Sequence, residues 1–246
     1  MESLRFYYIA VLMTIIALLL IPAPISPTGT YPKDRLICRV PVKEKVVAIT
    51  FDDGPYPKYT EQILDILDKY EIKATFFMIG QRVEEYPDIA REVQARGHLI
   101  GNHSYTHSRD MSELSEEEIL KEMKPCEEAI VRITGQNPIF YRSPSGNTNS
   151  IILKAAQEQG YYTVNWSIAA DYHLAKTPQQ MADRVIQNIQ PGNIILVHDG
   201  RFPERWKDVE ATPLIIQGLM EKGYRFVNLP ELLQMSQNEA SFMVKH

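Results

Sequence analysis

From residue 46 onward the chain alternates short apolar runs with longer amphipathic ones, and that alternation limits the possible folds more than any other feature. Val46–Phe51 reads as a buried strand, ended by Gly54-Pro55. Thr60–Tyr70 places Ile63, Leu64, Ile66 and Leu67 at helical spacing. Ala74–Ile79 is the next strand, Pro87–Arg96 a helix stopped by Gly97, and Leu99–Asn102 a short strand. Ser115 with Glu118 forms a capping-box pattern that opens a long helix running to about Thr134. Strands follow at Ile139–Tyr141, Tyr161–Trp166, Asn193–Val197 and Arg225–Asn228. Helices are expected at Ile151–Gln159, Pro178–Ile189, Thr212–Lys222 and Pro230–Met235. About seven strand–helix units in strict order imply an α/β fold whose parallel sheet is covered by helices. A closed or nearly closed barrel fits that count better than an open doubly wound sheet. No glycine-rich phosphate loop follows any strand, which disfavours a nucleotide-binding fold.

The chain begins differently. Phe6 to Ile21 carries no charge and is preceded by Arg5, so residues 1–25 read as a signal peptide or a short membrane-spanning anchor. The stretch Ile21-Pro22-Ala23-Pro24-Ile25-Ser26-Pro27 offers no good small-x-small cleavage site, which favours the uncleaved anchor. Residues 26–44 are rich in proline and charge and read as a linker and entry segment. A single domain then spans 45–236, with a tail at 237–246. The net charge is −5 and no basic stripe is present, which argues against a nucleic-acid partner. Cys38 and Cys126 have no partner at short spacing, so no zinc cluster is built from them; one disulfide and two separate thiols are both open.

In a barrel of parallel strands, catalytic groups sit on the loops after the carboxyl ends of the strands. The polar residues fall there. Asp52 and Asp53 end the first strand, and adjacent carboxylates are hard to hold together without positive charge nearby. Asp-Asp and Asp-Gly are also ordinary turn sequences. His103 and His107 follow the third strand at i and i+4, a spacing that puts two imidazoles on one side of a helical turn and suits a shared metal ion. With Asp53 they make two imidazoles and one carboxylate, leaving positions open for water and substrate. Arg142 follows the next strand and is placed to orient a carboxylate. Pro144 and Gly146 shape a loop that can present a backbone N–H to a carbonyl oxygen. Trp166 and Asp171 come after the fifth strand, and His198 ends the sixth, a suitable place for proton transfer near neutral pH.

Each motif is weak alone; the ordered set is specific. TFDDGP (50–55), HSYTH (103–107), RSPSG (142–146), Trp166 with Asp171, and LVHDG (196–200) together resemble the polysaccharide deacetylases, the NodB-like domains of carbohydrate esterase family 4. The likeness covers about residues 44 to 235. It implies a distorted (β/α) barrel with about seven parallel strands. It implies a divalent metal on Asp53, His103 and His107, zinc first, with cobalt, nickel or manganese as alternatives. Asp52 would be the general base, Arg142 its orienting partner, His198 the general acid, and Asp171 the residue that tunes His198. The Ser145 N–H would help hold the oxyanion, and Trp166 and Leu196 would line the groove for the acetyl methyl. Two departures stand out: Ser145 replaces a usual aromatic residue, and Ala169-Ala170 shorten the spacing from Trp166 to Asp171.

The activity so implied is hydrolysis of N-acetyl groups from an N-acetylglucosamine-containing polysaccharide, peptidoglycan first, then chitin-like oligomers or an exopolysaccharide. An O-acetyl esterase of xylan type is the alternative within the family, and a non-catalytic glycan-binding protein is the alternative outside it. Such a substrate lies outside the cytoplasm, so the domain is expected there, held to the membrane by its N-terminal segment or secreted after cleavage. The expected partners are the acetylated polysaccharide and the membrane.

Overall fold

The computed structural model describes residues 32–170 and 175–243; side chains are described only as far as residue 236. Among the described residues nine strands run in chain order: β1 Leu36–Ile37, β2 Val46–Asp52, β3 Thr75–Met78, β4 Leu99–Asn102, β5 Phe140–Tyr141, β6 Tyr162–Val164, β7 Ile168–Ala169, β8 Ile194–His198 and β9 Arg225–Phe226. They form one sheet in the order β1-β6-β5-β4-β3-β2-β8-β7, with β9 paired to β2. Every ladder between these strands is parallel. The sheet curls, and two strands at or beside its opposite edges are consecutive in sequence. β6 lies next to one edge and β7 is the other edge, yet only residues 165–167 separate them, a span of roughly 13 Å at full stretch. Those residues stitch the seam: the Asn165 N–H donates to Ile37 O (2.8 Å) and the Ser167 N–H to Ile194 O (3.1 Å). The result is the distorted α/β barrel, with nine short strands where about seven were expected.

Among the described residues eight α-helices cover the sheet: α1 Tyr59–Lys69, α2 Gly80–Glu85, α3 Pro87–Ala95, α4 Glu116–Thr134, α5 Ser150–Glu158, α6 Pro178–Asn188, α7 Trp206–Glu221 and α8 Leu229–Met243. The capping box at α4 forms as read, with Ser115 and Glu118 satisfying each other's backbone N–H groups, and Gly135 ends the helix in the left-handed region at φ 73°. α7 begins at Trp206 rather than Thr212, and Pro213 lies inside it. The Thr212 hydroxyl there donates to Asp208 O at 2.7 Å.

Strand pleating sets which side chains enter the barrel. On β2, Val47, Ile49 and Phe51 pack outward with the helices, while Val46 and Ala48 point into a second cluster with Phe77, Ile194 and Leu229. By the same alternation Thr50 and Asp52 face inward. The inner row therefore reads Val46, Ala48, Thr50, Asp52, apolar at one end and charged at the other. β8 repeats it with Ile194, Leu196 and His198. Leu229, Leu232 and Leu233 of α8 close the apolar end. The inward-facing charged groups Asp52 and His198 lie at the opposite end.

Cys38 and Cys126 are separate thiols; Cys126 is fully buried, with its sulfur 3.4 Å from Met78 O. Among the described residues no helix is long and apolar enough to cross a membrane. The expected N-terminal anchor lies outside those residues, as does Asp171.

Candidate active site

Asp52 and His198 are register partners across β2 and β8, at the last position of each strand. Adjacent strands lie about 4.8 Å apart, so parallel pairing alone sets the expected base beside the expected acid. The loops after the strands are locked together. A Cβ on Gly54 would overlap the Asp199 carboxylate, and one on Gly200 would overlap the Asp53 carbonyl, so the two glycines allow the β2 and β8 loops to touch.

Asp52 is 3% exposed and lies against the fully buried Arg142. Arg142 Nη1 donates to Asp52 Oδ1 at 2.6 Å and to Thr50 Oγ1 at 2.9 Å. Its Nε and Nη2 donate to the carbonyls of Val164 and Asn165, both at 3.0 Å, and its guanidinium lies over the Phe77 ring at 4.0 Å. The structure thus brings Arg142 and Asp52 into contact, with the guanidinium held through Nε, Nη1 and Nη2. Burial pulls the guanidinium below its ordinary range, and the adjoining Asp52 charge opposes that pull.

Asp53, His103 and His107 converge, with one ligand atom from each within 4.8 Å of the others. Asp53 Oδ1 is 3.1 Å from His107 Nε2 and 3.6 Å from His103 Nε2. That oxygen is buried and accepts no well-aligned hydrogen bond among the described residues. A buried anionic oxygen facing two imidazole nitrogens fits a divalent cation. Burial alone would raise the Asp53 carboxyl, but the two imidazoles and the nearby His198 outweigh it and hold Asp53 well below the carboxylate range. His107 is pulled down by burial more than Asp53 props it up. His103 Nδ1 lies 2.7 Å from the Arg142 carbonyl oxygen. A carbonyl only accepts, so that nitrogen carries a proton and the ring turns Nε2 toward the carboxylates.

The histidine pair does not sit on a helical turn, which corrects the expectation drawn from i, i+4 spacing. Residues 103–108 are irregular, with Ser104 at φ 63° and His107 at φ 61°. The Asn102 and Ser104 side chains accept the backbone N–H groups of Ser104 and His107, replacing helical hydrogen bonds. Asp53 (φ 78°), Ser145 (59°) and Arg201 (70°) are also left-handed, so five of the chain's positive-φ non-glycine residues surround this cleft.

Ser145, Trp166, Leu196 and His198 line the same cleft, as expected. Sequence reading passed over Arg109, Arg201, Phe202 and Arg205, which also line it. Arg201 follows the Leu196–Gly200 motif directly, and extending the strand-end logic by one residue would have reached it. Asp199 was passed over too. It is fully buried, accepts from Thr60 Oγ1 at 2.7 Å, and is pushed up to about 7 by burial and by the charges of Asp53 and Asp52.

The comparisons agree with this geometry. The family profile described as polysaccharide deacetylase matches residues 39–164. A peptidoglycan-N-acetylglucosamine deacetylase of Bacillus cereus is 39% identical over 88% of this chain and 99% of its own length. The peptidoglycan-N-acetylmuramic acid deacetylase PdaA of Bacillus subtilis is 33% identical over 78% of this chain and 72% of its own. The crystal structure of the Bc1960 peptidoglycan N-acetylglucosamine deacetylase superposes with a TM-score of 0.77 at 35% identity, covering 81% of this chain and 92% of that one. The chain belongs to the polysaccharide deacetylase family and is a hydrolase of that family.

Proposed function

We propose that this protein hydrolyses N-acetyl groups from an N-acetylglucosamine-containing polysaccharide, with peptidoglycan as first substrate. One observation carries the reading: the Asp53–His103–His107 cluster and the Arg142-held Asp52 meet His198 in a single cleft. Asp53, His103 and His107 would hold a divalent cation, zinc first. When bound, it supplies a Lewis acid that polarises the acetyl carbonyl and makes water more acidic.

The rest belongs to the chain's own groups. Asp52, pinned at Oδ1 by Arg142, keeps one acceptor turned toward the cleft and takes the proton of the attacking water. Arg142 also fixes His103 through its carbonyl, so base and ligand are aligned by one residue. Ser145 lines the cleft, and its N–H would steady the charge that develops on the acetyl oxygen. His198 hands a proton to the departing nitrogen, which an amide requires because its anion leaves poorly. Trp166 and Leu196 provide apolar walls for the acetyl methyl. Such a substrate places the domain outside the cytoplasm, with residues 1–25 as its membrane anchor.

The test is mass spectrometry of N-acetylglucosamine oligomers and of peptidoglycan after incubation with the zinc-loaded protein and with a chelated control. Loss of one acetyl group per new free amine, in the loaded sample alone, is the expected result. Acetate release without new amines would replace the amidase reading with an esterase.

A further inference from the structure

His103 and His107 hang on one loop, and every backbone N–H from 103 to 107 has a partner, none of them helical. The His103 N–H donates to Met78 O at 3.0 Å, continuing the β-ladder. The Ser104 N–H goes to Asn102 Oδ1 at 2.9 Å, and the His107 N–H to Ser104 Oγ at 3.0 Å. The Asn102 carbonyl, which a helical turn would offer to Thr106, already accepts the Arg142 N–H at 3.0 Å. That leaves Tyr105 and Thr106, between the two imidazole-bearing residues. Both N–H groups donate to one carboxylate oxygen, Glu122 Oε2, at 3.0 and 2.8 Å. Oε1 of the same group accepts the Thr106 hydroxyl at 2.7 Å.

Glu122 reaches the loop from a rigid support. It lies in α4, and Cys126, one turn further on the same face, packs on Gly80. A Cβ on Gly80 would come within 2.8 Å of the Cys126 Cα, so the glycine is what lets α2 and α4 meet. At that point the Gly80 and Gln81 N–H groups donate to the carbonyls of Ser104 and Tyr105, each at 3.0 Å. The residue after Glu122 contributes as well, since Met123 O accepts from Asn102 Nδ2 at 2.8 Å. Two helices thus grip the loop from outside, while Asp53 meets its imidazoles from inside. The backbone so held is unusual: Ser104 and His107 have φ of 63° and 61°, which residues with a side chain rarely adopt. Tyr105 is half-buried and Thr106 exposed, so water can take over their N–H groups once Glu122 is removed. The fold then survives, and the loop is freed.

Two imidazoles serve one cation only at a fixed separation and tilt. Here the ring centroids are 4.9 Å apart and the planes meet at 72°. A loop that must become ordered as the metal arrives subtracts that ordering from the affinity. We infer that Glu122 is a positioning residue for the metal centre: by holding Tyr105 and Thr106 it fixes His103 relative to His107, and so sets how tightly and in what geometry a divalent cation is held. This rests on the reading of Asp53, His103 and His107 as cation ligands. Position does the work rather than charge, because both carboxylate oxygens are turned on the loop. An amide of the same shape would serve: its oxygen can accept both N–H groups, and its NH2 can donate to Thr106 Oγ1.

The experiment uses the full chain with zinc and, separately, with cobalt(II). Zinc affinity is read by competition with a chromophoric chelator, and cobalt geometry by visible absorption. Glu122→Ala should weaken zinc binding about 10- to 100-fold and shift the cobalt bands. Glu122→Asp keeps the charge but draws it back by one methylene, and should lose about tenfold. Glu122→Gln should stay within about threefold of the unmodified protein and retain its cobalt spectrum. Melting of the chelated proteins separates this role from plain destabilisation. A Glu122→Ala protein that melts earlier yet binds zinc as tightly as the unmodified one would overturn the proposal. So would the reverse order of the other two, with Glu122→Asp tight and Glu122→Gln weak, which would assign the effect to charge. If Glu122→Ala does not fold, that pair still decides. Stoichiometric zinc in the unmodified protein with no response in any variant would overturn the role of Glu122 alone. No stoichiometric zinc in the unmodified protein would overturn the metal centre with it.

Discussion

His98 and His103 stand at opposite ends of the four-residue strand β4, and both are buried, at 1% and 2% exposure. Their rings are used in opposite ways. His98 Nδ1 accepts the Ala74 N–H at 3.2 Å, so its own proton sits on Nε2, which has no hydrogen-bond partner among the described residues. That ring stands edge-on to Phe76, and burial presses it down to about 4, with Lys73 adding to the shift. His103 reverses the tautomer by donating from Nδ1 to a carbonyl and turning Nε2 toward two carboxylates. Residue type and burial are the same; the end of the strand decides. The amino end of a parallel barrel closes on apolar side chains, and the carboxyl end opens on loops.

The strongest way to break this contrast is to remove the imidazole at the functional end. His103→Ala should abolish stoichiometric zinc and cut turnover by about a thousandfold or more, measured by elemental analysis beside acetate release. Normal zinc content in that variant would show that the ligand set is wrong. Asp52→Asn sharpens the contrast within the same cleft, because it should keep the zinc while losing about 10²- to 10⁴-fold in turnover. Undiminished turnover there would remove Asp52 from the role of base.

Arg142 gives the next effect, and it is one of stability. Arg142→Met would strand a buried carboxylate, at a cost of about 3–5 kcal/mol in urea unfolding. Removing the stranded charge as well, in Arg142→Met with Asp52→Asn, should recover part of that loss. If the double variant is no more stable than the single one, the buried pair is not what Arg142 supports.

What the sequence disclosed follows the same axis. β2, β4 and α4 could be read because an apolar run, a strand bounded by glycine, and a capping box each carry a local signal. β1 and β7 could not, because two residues have no period. α2 buries only Gly80 and Val83 and has no side-chain cap, so nothing local announces it. Asp52, Asp53, His103, Arg142 and His198 were legible because a charged group ending an apolar strand is anomalous. The backbone between the histidines was not, since i, i+4 spacing gives no information on φ and two side-chain caps on Ser104 and His107 replace a helix. Arg109, Arg201 and Arg205 were passed over for a related reason. Exposed or loop arginines look alike in sequence, and only the folded cleft brings positions 109 and 201 to one mouth.

The smallest predicted effect tests the quiet end of β4. A histidine whose folded pKa is pressed to about 4 from 6.5 is favoured neutral, so its share of stability is complete above pH 6.5. That share is lost as pH falls toward 4, where the unfolded chain gains a proton that the folded chain refuses. The loss amounts to about 3 kcal/mol at most across the window. Lys73 and Arg96 push in the same direction and Asp68 opposes them, so added salt should change the slope little compared with burial. The cleft imidazoles are common to both proteins, and the comparison cancels them. Urea midpoints of the unmodified protein and of His98→Leu, both chelated, should therefore be subtracted at each pH. The advantage of the unmodified protein should shrink by 2–3 kcal/mol between about pH 7 and pH 4. Zinc-loaded turnover of His98→Leu at neutral pH should stay within about twofold of normal, since the ring's partners among the described residues are Ala74 and Phe76, at the far end of β4 from the cleft. A stability difference that stays flat with pH would mean that His98 is not held neutral. The opposition between the two ends of β4 would then rest on hydrogen bonding alone.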